Sequence, residues 1–409
     1  MKHSYLIYIV SLIFAACQTK TETMQNLTSL THDLDSILQQ RFPDDEPGAC
    51  VIVKQGDSLI YNRCFGYAIL PGHENEEGVR ITPDTKFNIC SVSKQFSALA
   101  LLKLEEMGLI SLQDPVKKYF PKFQAPFFDH ITLANLLSHT SGLPDSRPRT
   151  QAEWKRYTAL HDTQFKTVED FKRFCEVEES VRYMETLDSL AFEPGSQYEY
   201  QNPTFQLAEL IIEQVTGTDF DTWMKENIFI PAGMTETVYF EPEREIKNMA
   251  HGYQPVGFTT LNGDNVPAEN PFDYWRDKKQ KWEENDYGEA SFYGTKADGG
   301  IYTSPMEFLK YDEALYHDKI VSKTSREKAH TAYILTDIDY TDYGYGFFLE
   351  HNPNRSNKIY HTGDNGGFLI FEGRIPEKDI FYLVFANRPD WEREITIEAI
   401  DQVLMKYIP

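Results

Sequence analysis

Near both ends of this sequence an amphipathic helix accompanies strand-like runs, and that arrangement limits the folds open to the chain. Leu27 to Phe42 places Leu27, Leu30, Leu34, Ile37 and Leu38 at the spacing of one helical face. Ala49 to Tyr61 reads as a β-hairpin turning at Gln55-Gly56, its second strand running on through Phe65 to Ala68. Strand patterns return from Lys358 to Asn387, as Ile359 to His361, Phe368 to Arg374 and Ile380 to Ala386. An amphipathic helix follows from Ile395 to Tyr407. Helical signals occupy the interval, among them a charged stretch from Thr167 to Leu190 and Gln206 to Val215, closed by Gly217. This order predicts an α+β fold: a mostly antiparallel sheet flanked by terminal helices, with an inserted helical subdomain. The sheet part is expected at about 27–85 and 350–405, the helical part at about 86–349. Residues 241–298, rich in Pro, Asn, Asp and aromatics, read as a long excursion whose loops could wall a cleft.

One segment of the helical part carries chemistry. Ser91-Val92-Ser93-Lys94 opens an apolar helical pattern through Phe96, Leu99, Ala100, Leu102, Leu104 and Met107, which Gly108 stops. A serine three residues before a lysine at a helix start shares a face with it. The amine can then take the hydroxyl's proton and make it a nucleophile. Free N–H groups at the helix start suit a developing oxyanion. The pattern itself is cheap, since about one Ser-x-x-Lys is expected by chance in such a chain. Ser325-Arg326-Glu327-Lys328 is a second instance, and its charged surroundings read as a solvated helix face. Ser91 differs by topping a helix that must be buried, where a lysine loses hydration and its pKa falls.

A formal net charge of −23 argues against nucleic acid and against an anionic bilayer as binding surfaces. Met1 to Ala16 carries one lysine and then an apolar run too short to span a bilayer, and reads as a secretory signal peptide. Phe14-Ala15-Ala16-Cys17 resembles a bacterial lipoprotein processing site, which makes Cys17 the lipidated residue and 17–26 a polar tether. The expected location is the cell envelope, facing the periplasm, with the membrane as a partner only through that anchor. Cys50, Cys64, Cys90 and Cys175 show no metal spacing, and four in so long a chain are no disulfide framework. Cys50 and Cys64 fall on two strands expected to pair, with their register open. Cys90 reads as a packing residue rather than a nucleophile, having no basic partner of its own.

Acyl transfer also needs a proton route to the leaving group and oxyanion donors. Tyr200-Gln201-Asn202 and His361-Thr362-Gly363-Asp364 are candidates. Each has a plainer reading, the first as a turn before a helix with Pro203 near its start, the second as a hairpin turn with an exposed histidine.

Taken together, Ser91-x-x-Lys94, Tyr200-x-Asn202 and His361-Thr362-Gly363 stand in the order of a known family. The chain resembles the serine β-lactamases and penicillin-binding proteins, in the branch of class C β-lactamases, D,D-peptidases and related esterases. Leu136 to Pro144, Phe229 to Met234 and Ala297 to Tyr302 match as well, and the resemblance spans about residues 27–405. It implies Ser91 as nucleophile, Lys94 as base and Tyr200 as proton relay. It implies that Asn202 holds a substrate amide, that His361, Thr362 and Gly363 line the substrate site, and that the N–H groups of Ser91 and Asp364 form the oxyanion hole. The class C enzymes carry lysine where His361 stands, as some D,D-peptidases do not. A histidine is mostly neutral near pH 7 and attracts a substrate carboxylate less, which weakens the case for efficient β-lactam hydrolysis.

The expected activity is a serine hydrolase cleaving ester or amide bonds through an acyl-enzyme, on small-molecule or peptide substrates such as D-amino-acid peptides of cell-wall type. A small-acyl esterase or a β-lactamase is the alternative within the class, and a non-catalytic β-lactam or muropeptide sensor the alternative outside it. The sequence holds no Gly-x-Ser-x-Gly, no Walker loop, no Gly-x-Gly-x-x-Gly and no His-Glu-x-x-His, so neither a cofactor nor a metal is expected.

Overall fold

The structure, a computed structural model, describes residues 25–72, 76–145, 176–240, 245–255, 282–284 and 295–408. Cys17 and Cys175, the 1–16 segment and most of the 241–298 excursion lie outside the described residues.

Ala49 to Val53 is a continuous apolar run, and all five residues are buried. Such a run needs cover on both faces, which places it inside a sheet. Ala49–Gln55 is indeed flanked by Ile380–Ala386 on one side and Ser58–Phe65 on the other, antiparallel to both. The sheet continues beyond Ile380–Ala386 through Phe368–Ile375, Lys358–Asn365, Phe348–Glu350, Thr341–Tyr343 and Ile334–Leu335. All its neighbouring strands are antiparallel. Alternation divides its side chains between two cores. Val51, Val53, Tyr382 and Val384 pack with Leu30, Leu34 and Leu38 of the 25–41 helix and Ile400 and Leu404 of the Arg393–Tyr407 helix. Cys50, Ile52, Leu383 and Phe385 face the helical part instead.

The three short strands at 334–350 belong to the sheet, although the sequence reading set its second part at about 350 onward. Two or three residues are too few to display a period of two. The hairpin turns one residue later than expected, at Gly56-Asp57, with Gly56 at φ +52°. The helix read from Gln206 starts four residues sooner, spanning Asn202–Thr216, and Gly217 ends it in the left-handed conformation. Of the charged stretch at 167–190, the described helix is Glu176–Glu185.

The helix behind Ser91 is Ser93–Glu106, buried nearly all round. Phe96 stacks on Tyr311 with ring centroids 4.2 Å apart. The same helix buries three polar side chains in succession at Ser93, Lys94 and Gln95, and buried polar atoms require partners. Gln95 donates its amide to Glu372, and Tyr311 donates to Gln95 at 3.2 Å. Burial pushes the Glu372 carboxyl up to about 8. Glu372 sits opposite His361 in the sheet, so this polar cluster ties the central helix to the strands that complete the site. Among the described residues no helix is long and apolar enough to cross a membrane.

Candidate active site

The chain enters the site through Phe87–Asn88, a short strand paired with Ile301–Thr303. Cys90 then adopts φ +52°, a conformation L-residues rarely take. Asn88 secures it, its side-chain oxygen accepting the Cys90 N–H at 2.7 Å while its amide donates to the Gly299 carbonyl at 3.1 Å. The reversal leaves Ser91 half-buried in a 3₁₀ turn, Cys90–Val92, that runs directly into the Ser93–Glu106 helix. Ser91 thus precedes the α-helix rather than opening it, because the left-handed Cys90 delays regular helix geometry to Ser93.

Lys94 is wholly buried, and its Nζ lies 3.0 Å from Ser91 Oγ. The amine also donates to the carbonyl of Asp298 at 2.8 Å. That carbonyl is held in place by its own strap: Ser97, one turn along from Lys94, donates to Ala297 O at 2.6 Å, and the Ile301 N–H reaches Ser93 Oγ at 3.2 Å. The rival motif is built otherwise. In the Lys323–Ala329 helix, Lys328 pairs with Glu105 at 2.5 Å, and Ser325 is buried with its hydroxyl on Glu106. Ser325 therefore lies under the helix, not on the solvated face its charged neighbours suggest, and its lysine is committed to a carboxylate.

Tyr200 lies with its ring centroid 5.0 Å from Lys94 Nζ. Asn202, half-buried, is the first residue of the Asn202–Thr216 helix. His139 holds both in place, and the sequence reading assigned it no role. Its Nδ1 accepts the Gln201 N–H at 3.0 Å, its carbonyl accepts the Glu199 N–H at 3.0 Å, and its ring packs 4.3 Å from that of Tyr200. Because a backbone N–H can only donate, Nδ1 is unprotonated and His139 is the neutral Nε2–H tautomer. Burial, then the charge of Lys94, hold its pKa well below the ordinary value. His139→Ala is expected to lower turnover about 10- to 100-fold with little change in KM, through a misplaced Tyr200. Steady-state kinetics on an ester substrate check this, and unchanged turnover would remove His139 from the site.

The Lys358–Asn365 strand closes the opposite side. His361, which the resemblance puts in the substrate site, has both ring nitrogens engaged within the protein. Its ring is fully buried, with Nδ1 2.7 Å from the Thr362 carbonyl and Nε2 3.0 Å from the Tyr343 hydroxyl. The carbonyl must accept, so Nδ1 carries the proton and Tyr343 donates to Nε2. Burial and Lys94 press the pKa down to about 3, leaving an uncharged ring with both nitrogens engaged. Thr362 is half-buried and Asp364 exposed. Gly363 is set by packing: a Cβ there would lie 2.4 Å from Ile89 O and 2.9 Å from Cys90 Cβ. Only glycine lets this strand lie so close to Ile89 and Cys90, the two residues that lead into Ser91. Cys90 packs at the same contact, its sulfur near the carbonyls of Asn88 and Asn365, and burial raises its thiol well above the usual range.

Serine, buried lysine, tyrosine and a glycine-tight strand thus converge from segments distant in the chain. Residues 34–405 match the family described as beta-lactamase. The chain belongs to the beta-lactamase family. Within it, the chain is similar to penicillin-binding protein 4* of Bacillus subtilis (strain 168), 29% identical over 364 residues that cover 87% of this chain and 71% of the relative. Among solved structures it is similar to a penicillin-binding protein from Bacillus halodurans, with TM-score 0.70, 23% identity and coverage of 90% of this chain and 98% of that one. D-amino acid amidase from Ochrobactrum anthropi SV3, complexed with D-phenylalanine, superposes with TM-score 0.68 at 22% identity, covering 92% and 98%. At such identities the two structures establish the shared beta-lactamase fold. Enzymes of this beta-lactamase family are serine hydrolases, and the present chain is one of them.

Proposed function

We propose that this chain cleaves amide or ester bonds through an acyl-enzyme on Ser91. The observation that carries this reading is the buried Lys94 amine, 3.0 Å from the Ser91 hydroxyl and anchored to a backbone carbonyl on its far side. As a free amine, Lys94 accepts the Ser91 proton while Oγ attacks the acyl carbon. The N–H groups of Ser91 and Asp364 receive the charge that develops on the acyl oxygen. Tyr200 passes the proton to the leaving group, Asn202 holds an amide of the substrate, and water then releases the acyl group. Two neutral histidines beside Lys94 suit this cycle, since neither adds a competing charge.

The substrate class we favour is D-amino-acid peptides of cell-wall type. The penicillin-binding relatives and the D-amino acid amidase of the same fold support it. The engaged, uncharged His361 supports peptidase, amidase or esterase action over β-lactam hydrolysis, because it offers no cation to a β-lactam carboxylate. Incubation with a fluorescent fluorophosphonate and a fluorescent penicillin, with Ser91→Ala as control, tests the mechanism. Wild type is expected to label with the fluorophosphonate and Ser91→Ala with neither probe. Failure of wild type to label with either would end the acyl-enzyme reading. Rapid nitrophenyl-ester turnover without penicillin labelling would point to an esterase.

We further propose that the chain is a cell-envelope lipoprotein, facing the periplasm and anchored through Cys17. Cys17→Ser is expected to abolish incorporation of labelled palmitate and move the protein from the membrane to the soluble fraction. Equal palmitate incorporation by the variant would exclude Cys17 as the anchor.

A further inference from the structure

The first sheet hairpin sets two cysteines face to face. In the pairing of Ala49–Gln55 with Ser58–Phe65, Cys50 lies opposite Cys64. The pairs on either side, Ala49 with Phe65 and Val51 with Arg63, are regular, and the register shifts only between Val53 and Lys54, nearer the turn. The two sulfurs are 2.6 Å apart. Cys50 is wholly buried, while Cys64 is partly accessible. The third described cysteine, Cys90, turns its sulfur to the carbonyls of Asn88 and Asn365.

We propose that Cys50 and Cys64 are a modification site, joined as an intramolecular disulfide when the folded chain meets a disulfide-bearing oxidant such as oxidised glutathione or a thiol oxidase. Facing positions on adjacent antiparallel strands bring Cβ atoms to the upper end of the spacing a disulfide needs, and here the two sulfurs already turn toward each other. Cys64, the accessible thiol, loses its proton and attacks one sulfur of the oxidant, expelling one thiolate and leaving a mixed disulfide. Cys50 then loses its proton, and its sulfur displaces the second thiolate as the protein bridge forms. Two protein thiols are oxidised, one donor disulfide is reduced to two donor thiols, and no other reactant is needed. Burial and the neighbouring thiol hold the Cys50 proton tightly, so closure is the slower step and speeds up as pH rises.

The place of the bridge in the sheet gives it a purpose. Among the described residues Ser58–Phe65 is the last strand of its sheet and exposes Leu59, so its register there rests on one neighbour. A covalent tie to the buried strand fixes that register. The bond also restricts the unfolded chain, which adds stability whatever the enzyme's substrate.

Full-length protein equilibrated with oxidised glutathione, denatured in N-ethylmaleimide and digested should yield Cys50 and Cys64 in one linked peptide pair by mass spectrometry. Reduction should lower Tm by about 4 °C. Cys64→Ser, a near-isosteric change at a partly accessible site, should lose both the linkage and the response to reductant. Recovery of both thiols as maleimide adducts after oxidation would overturn the proposal. So would linkage of Cys50 to any other cysteine, or an equal Tm response to reductant in Cys64→Ser.

Discussion

Lys94→Met is expected to slow acylation of Ser91 by about 10³- to 10⁴-fold while the protein stays folded. Methionine fills the aliphatic part of the lysine's buried channel beside Tyr200 and Phe205 but offers no lone pair to the Ser91 proton. The change also leaves the Asp298 carbonyl without its Lys94 donor, which costs about 1–3 kcal/mol of stability. A urea midpoint that falls modestly, beside a collapse in the second-order rate of fluorophosphonate labelling, separates the chemical loss from the structural one. Acylation near the wild-type rate would place the base elsewhere. The matching change in the second motif, Lys328→Met, removes only the pair with Glu105 and should leave labelling unaltered.

Gly363→Ala should be nearly as damaging, for a different reason. The added carbon would lie 2.4 Å from Ile89 O, a backbone atom with no flexible side chain to yield. The strand and the nucleophile's turn must separate, at a cost of about 1–3 kcal/mol. The Asp364 N–H moves with the strand, and in the proposed mechanism this removes one oxyanion donor, worth about 10²- to 10³-fold in turnover. We expect both a lower urea midpoint and a fall in kcat of at least about 10²-fold. A variant with the lower midpoint but normal kcat would remove the Asp364 N–H from the reaction.

What the sequence disclosed follows from the range of each interaction. Ser91 and Lys94 are three residues apart, so local periodicity was enough to pair them, and the apolar helix behind them told them from Ser325 and Lys328. The buried strands at Ala49 to Val53 and Ile380 to Ala386 were equally plain, because double-sided burial writes a continuous apolar run. His139 was hidden because it acts on a backbone N–H, that of Gln201, 62 residues away and present whatever the side chain. Its φ of +56° has no mark in a residue that is not glycine. The Tyr343 partner of His361 was hidden too, because it comes from one of the three-residue strands no periodicity reveals. Glu372 did leave a trace: a lone carboxylate directly after the apolar run Phe368 to Phe371 sits badly in a buried strand unless something inside receives it.

The order of the sheet bears on how the protein comes into being. Ala49–Gln55 has its partners on both sides only when Ile380–Ala386 is present, and the Gly48 N–H is satisfied by Asn387, 339 residues later. A chain emerging from its first residue can make the hairpin early, but the sheet's interior stays unpaired until almost all of the polypeptide exists. Closing a loop of that length is slow, and the cost falls before most long-range contacts can repay it. Completion is therefore a late event in the life of each molecule, and the nascent chain remains open and threadable for as long as its last strands are withheld.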